Sequence, residues 1–320
     1  MKKLIFLFAI ITIFSSCNGT GEKILPGSSG RTHNILLVMD NSDWKSSIGD
    51  SIRKYFAAEF PDLPQVEPIF SLRQTTNEMY NGVYEIVRNV IVLKQGEKPG
   101  VHFYKNQHAK PQLITVIEGR NKEELKAIIS KHSKEIIAKY EKAEIENLQA
   151  KHRESLRDNS DVENELHIEI DIPDFFNLVD HQDKFFWFRR DIKNGEQDIL
   201  LYQVPLRDSL DYSGDRVVTY RDSICKKYIP GPSENTYMKT DINLSPSQVF
   251  TKINGLKAIE TRGHWNMKND FMGGPYLNYN IIDQKNKRII VAEGFIYAPA
   301  VDKRDYMVQL EAILKTVQLK

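Results

Sequence analysis

The chain has 320 residues, 44 Lys and Arg against 43 Asp and Glu, a formal charge of +1, and is 41% hydrophobic and 27% charged. That apolar share suffices for a real core, and the length asks for one large or two medium domains. A near-zero charge removes the electrostatic case for a nucleic-acid partner, which needs a basic surplus on one face.

The first residues decide the compartment. Lys2 and Lys3 precede an apolar stretch from Leu4 to Phe14, and Ser15-Ser16 lead into Cys17. Eleven helical residues cover roughly 16 Å, about half the hydrocarbon thickness of a bilayer, so the stretch fits the apolar region of a signal peptide and not a membrane span. Small residues directly before a cysteine resemble the lipobox of bacterial lipoproteins, with Phe14 standing where Leu is usual. Residues 1–16 are therefore read as a lipoprotein signal peptide and Cys17 as the lipidation site. Cleavage there removes two basic residues and no acid, turning the balance from +1 to −1. Residues 17–30, with four Gly, one Pro and several Ser, Thr and Asn residues, are expected to form a flexible tether. Lipidation of Cys17 leaves Cys225 as the only thiol and permits no internal disulfide.

Asn34–Asp40 reads as a buried strand. A helix follows from Asn41 to about Ala58, with Trp44, Ile48, Ile52, Tyr55 and Phe56 on one face. Ile86–Leu93 is strand-like, and Val101–Tyr104 with Leu113–Ile117 reads as a hairpin. Asn121, with Glu124 three residues on, opens a helical pattern that persists to about Arg157. Its distal part is highly charged with a thin apolar stripe, which leaves it to project, to break once or to pack on a partner. Asp158–Glu165 reads as a polar linker.

A second body begins with strands at Leu166–Ile170, Phe185–Arg189 and Ile199–Val204, then a helix from Gly214 to Tyr228. Strands near Tyr237–Ile242 and Leu256–Thr261 follow. Tyr276–Ile282 and Arg288–Ala298 form the clearest hairpin, and Asp302 is placed to cap a final helix. Both bodies carry an Ile-Leu-Leu strand (Ile35–Leu37, Ile199–Leu201), a helix with Asp-Ser-Ile (Asp50–Ile52, Asp222–Ile224) and a closing hairpin–helix. These parallels suggest a duplicated unit. The expected fold is α+β: two similar subdomains of mostly antiparallel sheet with packed helices, residues 31–158 and 159–320, joined by a long helix.

The strings FFWFRRD (185–191), KKYIPGPSENTYM (226–238), RGHWNMKNDFMGGPYLNY (262–279) and EGFIYAPAVDKRDYMVQLEAIL (293–314) occur with NILLVMDNSDW and SSCN. Together they resemble a lipoprotein family of Bacteroidota built on a domain of unknown function (4837). The resemblance spans nearly the whole chain and supports the lipoprotein reading. It implies no activity, cofactor or catalytic residue.

No P-loop, G-x-G-x-x-G, G-x-S-x-G, H-E-x-x-H or C-x-x-C string is present, so no cofactor and no metal is expected. His102 and His108 bracket a turn with Lys105 and Lys110, cations that disfavour a divalent ion. Asp40–Asp43 lacks the downstream Gly and Glu of a calcium loop and reads as helix capping. The strongest binding candidate is the segment Arg262–Gly274, expected as a loop, with Arg262, His264, Trp265 and Asp270. Arg189, Arg190 and Arg304 add anion-recognising forks if the fold brings them near. The same residues also fit a packing role, with Trp265 and Phe271 in the core, the glycines permitting a turn and Arg262 paired with Asp270.

The reading that follows is a lipid-anchored envelope protein, a non-enzymatic binding or assembly factor held at the outer membrane with its body in the periplasm. Its expected partners are the membrane, through the anchor, and an envelope protein or glycan. The alternative is a hydrolase or transferase on envelope polymers such as peptidoglycan or glycan, with Asp270 and His264, or Asp270 and Glu293, as acid and base.

Overall fold

The computed structural model describes residues 24–207 and 214–320. Cys17, residues 1–16 and the first part of the expected tether lie outside the described residues.

The N-terminal half is built on a five-stranded sheet. Its strands are β1 (Asn34–Val38), β2 (Ser71–Thr75), β3 (Asn89–Gln95), β4 (Gly100–Lys105) and β5 (Leu113–Gly119), in the spatial order β2-β1-β3-β5-β4. β1 runs parallel to β2 and β3, β3 runs parallel to β5, and only the β4–β5 hairpin is antiparallel. The expectation of mostly antiparallel strands therefore needs correcting for this half. β1 is apolar at every position after Asn34 because both of its faces are covered, as is usual for parallel strands.

The helix expected from Asn41 to Ala58 is two helices, α1 (Asn41–Trp44) and α2 (Ser47–Phe56). Ser46 breaks it, its hydroxyl accepting the Ile48 amide at 3.3 Å. The break folds the Trp44 carbonyl onto Gly49, where a Cβ would sit 1.9 Å from that oxygen, so only glycine fits.

The long helix α3 runs over Lys122–His152, 31 residues, and starts on the Asn121 side chain, which accepts the Glu124 amide at 2.9 Å. It belongs to both halves. Leu125, Ile129, Ile136 and Tyr140 pack against the parallel sheet, whereas Leu148 enters the C-terminal core. Its charged distal stretch thus packs inside the chain. The polar linker expected after it holds a short helix, α4 (Ser160–Leu166), because Val162 and Leu166 bury in that same core.

The C-terminal half carries β6 (Ile168–Glu169), β7 (Asn177–Gln182), β8 (Phe185–Ile192), β9 (Gly195–Pro205), α5 (Gly214–Tyr228), β10 (Met238–Thr240), β11 (Ser247–Ile253), β12 (Leu256–Met267), β13 (Gly273–Asp283), β14 (Arg288–Tyr297), α6 (Arg304–Leu314) and β15 (Gln318–Leu319). Eight of the strands form an antiparallel sheet in the order β10-β12-β13-β14-β9-β8-β7, with β11 beside the first part of β12; β6 pairs with β15 separately. α5 covers one face over Tyr202, Trp265, Tyr276 and Phe295. α6 and the end of α3 cover the other over Leu201, Leu277, Tyr279 and Ile290. Burial of both faces explains why β13 and β14 are inaccessible along nearly their whole length.

The α+β character and the two sheet-bearing halves are as the sequence indicates, and antiparallel pairing dominates the larger sheet. The similarity expected between the halves does not extend to strand direction. The tether expected over 17–30 also ends early. Pro26 accepts the Lys110 amide at 2.9 Å, and Ser29 exchanges backbone hydrogen bonds with Ile86 and Arg88 at 2.9 and 2.8 Å. Residues 26–30 are thereby fixed along the N-terminal half.

Candidate functional site

Arg262 to Met267 are not a loop. They form the end of β12, and the chain turns only at residues 268–272. Strand alternation puts Glu260, Arg262 and His264 on the face towards α6 and sends Trp265 through to the α5 side. There Trp265 packs edge-on to Phe295, 2% exposed, with its indole N–H donating to the Ile296 carbonyl at 3.3 Å. Asp270 sits in the turn and accepts the amide of Phe271, whose ring is fully exposed. The two glycines serve the sheet rather than the turn: a Cβ on Gly274 would lie 2.0 Å from the Ile296 carbonyl of β14.

Arg262 does not pair with Asp270. Its Nε donates to Glu260 at 2.6 Å and its Nη2 to Glu311 of α6 at 2.7 Å. The Tyr279 hydroxyl donates to the other oxygen of Glu260 at 3.0 Å, and Lys315 pairs with Glu311. Burial works against each charge, but the charges answer one another. Burial would raise the Glu311 carboxyl, yet Arg262 and Lys315 hold it at about 2. Arg262 is likewise penalised by burial and ends above its ordinary value through Glu311 and Glu260. This chain of ion pairs forms the floor of two adjoining hollows between the halves, of about 310 and 390 Å³, which share Glu141, Ile145, Glu311 and Lys315. Glu141 of α3 accepts no hydrogen bond among the described residues, and burial followed by the Glu311 charge raises its carboxyl.

The remaining candidates do not join Arg262 in one open site. Arg190 donates to Gln309 of α6 at 3.2 Å and covers the Phe175 ring. Arg304 opens α6 and donates across the joint between the halves, to the Pro68 carbonyl at 2.7 Å and to Ser71 at 3.2 Å. Arg189 faces the opposite side of the sheet and pairs with Asp198 and Glu196, each at 2.9 Å. Three of the four arginines thus gather round α6, each already engaged with protein. His264 lies near Leu63, with Asp62 and Asp241 as the charges acting on it, and burial lowers its pKa. Glu293 is fully buried in a salt bridge with Arg221, so it is not available to Asp270 as an acid–base partner.

Residues 155–316, about half of the chain, match a domain of unknown function (DUF4837). The chain belongs to the DUF4837 family. The DUF4837 segment takes in the whole eight-stranded sheet and α6, and therefore Glu260, Arg262, Glu311 and Lys315. A second domain of unknown function (DUF8532) matches residues 28–153, which supply Glu141. The hollows therefore lie where the DUF4837 and DUF8532 segments meet. No curated protein sequence matches the chain. Among solved structures, the Ran-binding protein Mog1p of Saccharomyces cerevisiae is similar at 7% identity and a TM-score of 0.33, over 48% of this chain and 90% of that one. LpqN of Mycobacterium tuberculosis, involved in cell envelope biogenesis, is similar at 13% identity and a TM-score of 0.30, over 47% and 82%. Neither likeness is close enough to carry an argument.

Sequence reasoning missed Glu141, Glu260 and Glu311, and with them Glu67. The Glu67 carboxylate crosses from the N-terminal half to accept the amides of Lys303 and Arg304 at 2.6 and 3.1 Å, capping α6 in place of Asp302. The one local signal was Glu311 four residues before Lys315 on one helix face. The other partners lie up to 237 residues apart in the chain.

Proposed function

We propose that the protein is a lipid-anchored component of the cell envelope, held at the outer membrane through Cys17, that acts in the periplasm as a binding or assembly factor. The observation that carries this reading is the basic pair, apolar stretch and Ser15-Ser16-Cys17 of the first seventeen residues. Among the described residues no helix is long and apolar enough to cross a membrane, so on this reading the anchor is the lipid. Metabolic labelling with an alkyne fatty acid tests it. Wild type should carry the label in the membrane fraction and Cys17→Ser should not. A wild-type protein without label would sink the proposal.

One observation favours a second reading, a hydrolase or transferase on peptidoglycan or glycan. Glu141, raised, and Glu311, held down, line the same hollow, and such divergence is what an acid and a base require. Turnover of purified cell-wall material, abolished by Glu141→Gln in a folded protein, would establish it. No turnover by wild type on either polymer disposes of it.

A further inference from the structure

A hollow of about 500 Å³ in the N-terminal half lies between α3 and the β4–β5 hairpin and is lined mainly by carbon. Phe103 of β4 and Leu113 of β5 contribute its apolar lining, and four lysines, Lys105, Lys110, Lys139 and Lys142, stand around it. All four are exposed. Lys105 and Lys110 have no carboxylate within ion-pair distance among the described residues. Lys139 lies 4.6 Å from the Phe103 ring centroid and 4.0 Å from Glu135, and Lys142 pairs with the single lining carboxylate, Glu146, at 3.8 Å, so the unpaired charges are Lys105 and Lys110. Arg88, at the base, is already neutralised by Glu144. The hollow therefore joins a surplus of positive charge to an apolar interior.

The chain itself says what faces this hollow. Pro26 is hydrogen-bonded to Lys110, at the rim. Eight residues separate Cys17 from Pro26. At 3.3–3.6 Å per residue they reach at most about 30 Å. On the reading that Cys17 carries the lipid, on which this inference rests, the lysine rim is held within that distance of the bilayer surface. Lysine is a point-charge partner for phosphate oxygens, and the interior behind it accepts hydrocarbon. We infer that this hollow binds an anionic phospholipid of the anchoring membrane, with its phosphate among the lysines and the start of an acyl chain over Phe103 and Leu113.

Native mass spectrometry of the full-length protein in a neutral detergent tests this, with phosphatidylglycerol, phosphatidylcholine or inorganic phosphate added. Phosphatidylglycerol should bind about tenfold more tightly than phosphatidylcholine. The Lys105→Glu/Lys110→Glu double variant should lose that preference, and Ala150→Trp, which fills the hollow without altering charge, should weaken both lipids. Equal binding of the two lipids, a preference that survives the charge reversal, or phosphate displacing the lipid as well as phosphatidylglycerol does, would overturn the inference. The same spectra, taken after denaturation, report covalent acyl mass on Cys17. An unacylated protein that still prefers phosphatidylglycerol overturns the anchor and keeps the site; an acylated one without preference does the reverse.

Discussion

In the N-terminal half the helix supplies the buried carboxylate and the segment leading into β3 the arginine; in the C-terminal half the sheet supplies the carboxylate and a helix the arginine. Glu144 of α3 accepts from Arg88 at 2.7 Å, from Asn89 at 2.6 Å and from the His33 amide at 3.3 Å. Glu293 of β14 accepts from Arg221 of α5 at 2.8 Å and from Asn278 at 2.8 Å. Neither pair would repay its desolvation by Coulomb attraction alone. Both carboxylates have donors on both oxygens, and both arginines use spare N–H groups to catch a neighbouring segment. Arg88 takes the Gly30 and Arg31 carbonyls of the incoming chain, and Arg221 takes Thr240 of the edge strand β10. Which element carries which charge is immaterial; donors on both oxygens of the buried carboxylate are what the two arrangements share.

The largest effect should come from Arg221→Met, which leaves Glu293 buried with Asn278 alone and costs about 3–5 kcal/mol in urea unfolding. Arg88→Met should cost less, about 3 kcal/mol, because Asn89 and the His33 amide remain on Glu144. Equal losses would break the comparison. A third buried carboxylate sharpens it. Asp198 takes both Trp187 and Arg189 on one oxygen and leaves the other without a partner. Burial, with the Glu196 charge added and against the pull of Arg189, pushes it up to about 7. Its folded value lies above the ordinary unfolded value near 4, so the native state binds the extra proton between those limits. Its contribution to stability is present below about pH 4 and is lost as pH rises towards 7, at up to about 1.4 kcal/mol per pH unit. Asp198→Asn should remove that slope from the stability–pH curve; an unchanged slope would assign it to other groups. The smallest effect is expected of Glu67→Ala, about 1 kcal/mol from the lost cap of α6. Hydrogen exchange should show the Lys303 and Arg304 amides opening first.

Much of the fold was legible because apolar period and turn chemistry are local. β1, the β13–β14 hairpin, α5 and α6 announce themselves in this way. β7 and β11 do not, since they lie at sheet edges with mostly exposed residues, and β11 leaves Val249 and Phe250 in solvent. Strand direction in the N-terminal half is set by where connections pass, which no window of sequence contains. The candidate site was legible only in part. Trp265 was recognisable as a packing residue from its size, but Arg262 meets Glu311 49 residues away on the far side of a layer, and Phe271 looks like a core residue while standing in water.

The carboxylate of Glu67 on α6 has one further consequence. The C-terminal segment borrows part of its last helix's start from its neighbour, because two amides of α6 find their acceptor, and Arg304 its carbonyl partner at Pro68, in the other segment. A shuffled gene that joined the C-terminal unit to a different neighbour would inherit an open helix end that the new neighbour would have to cap.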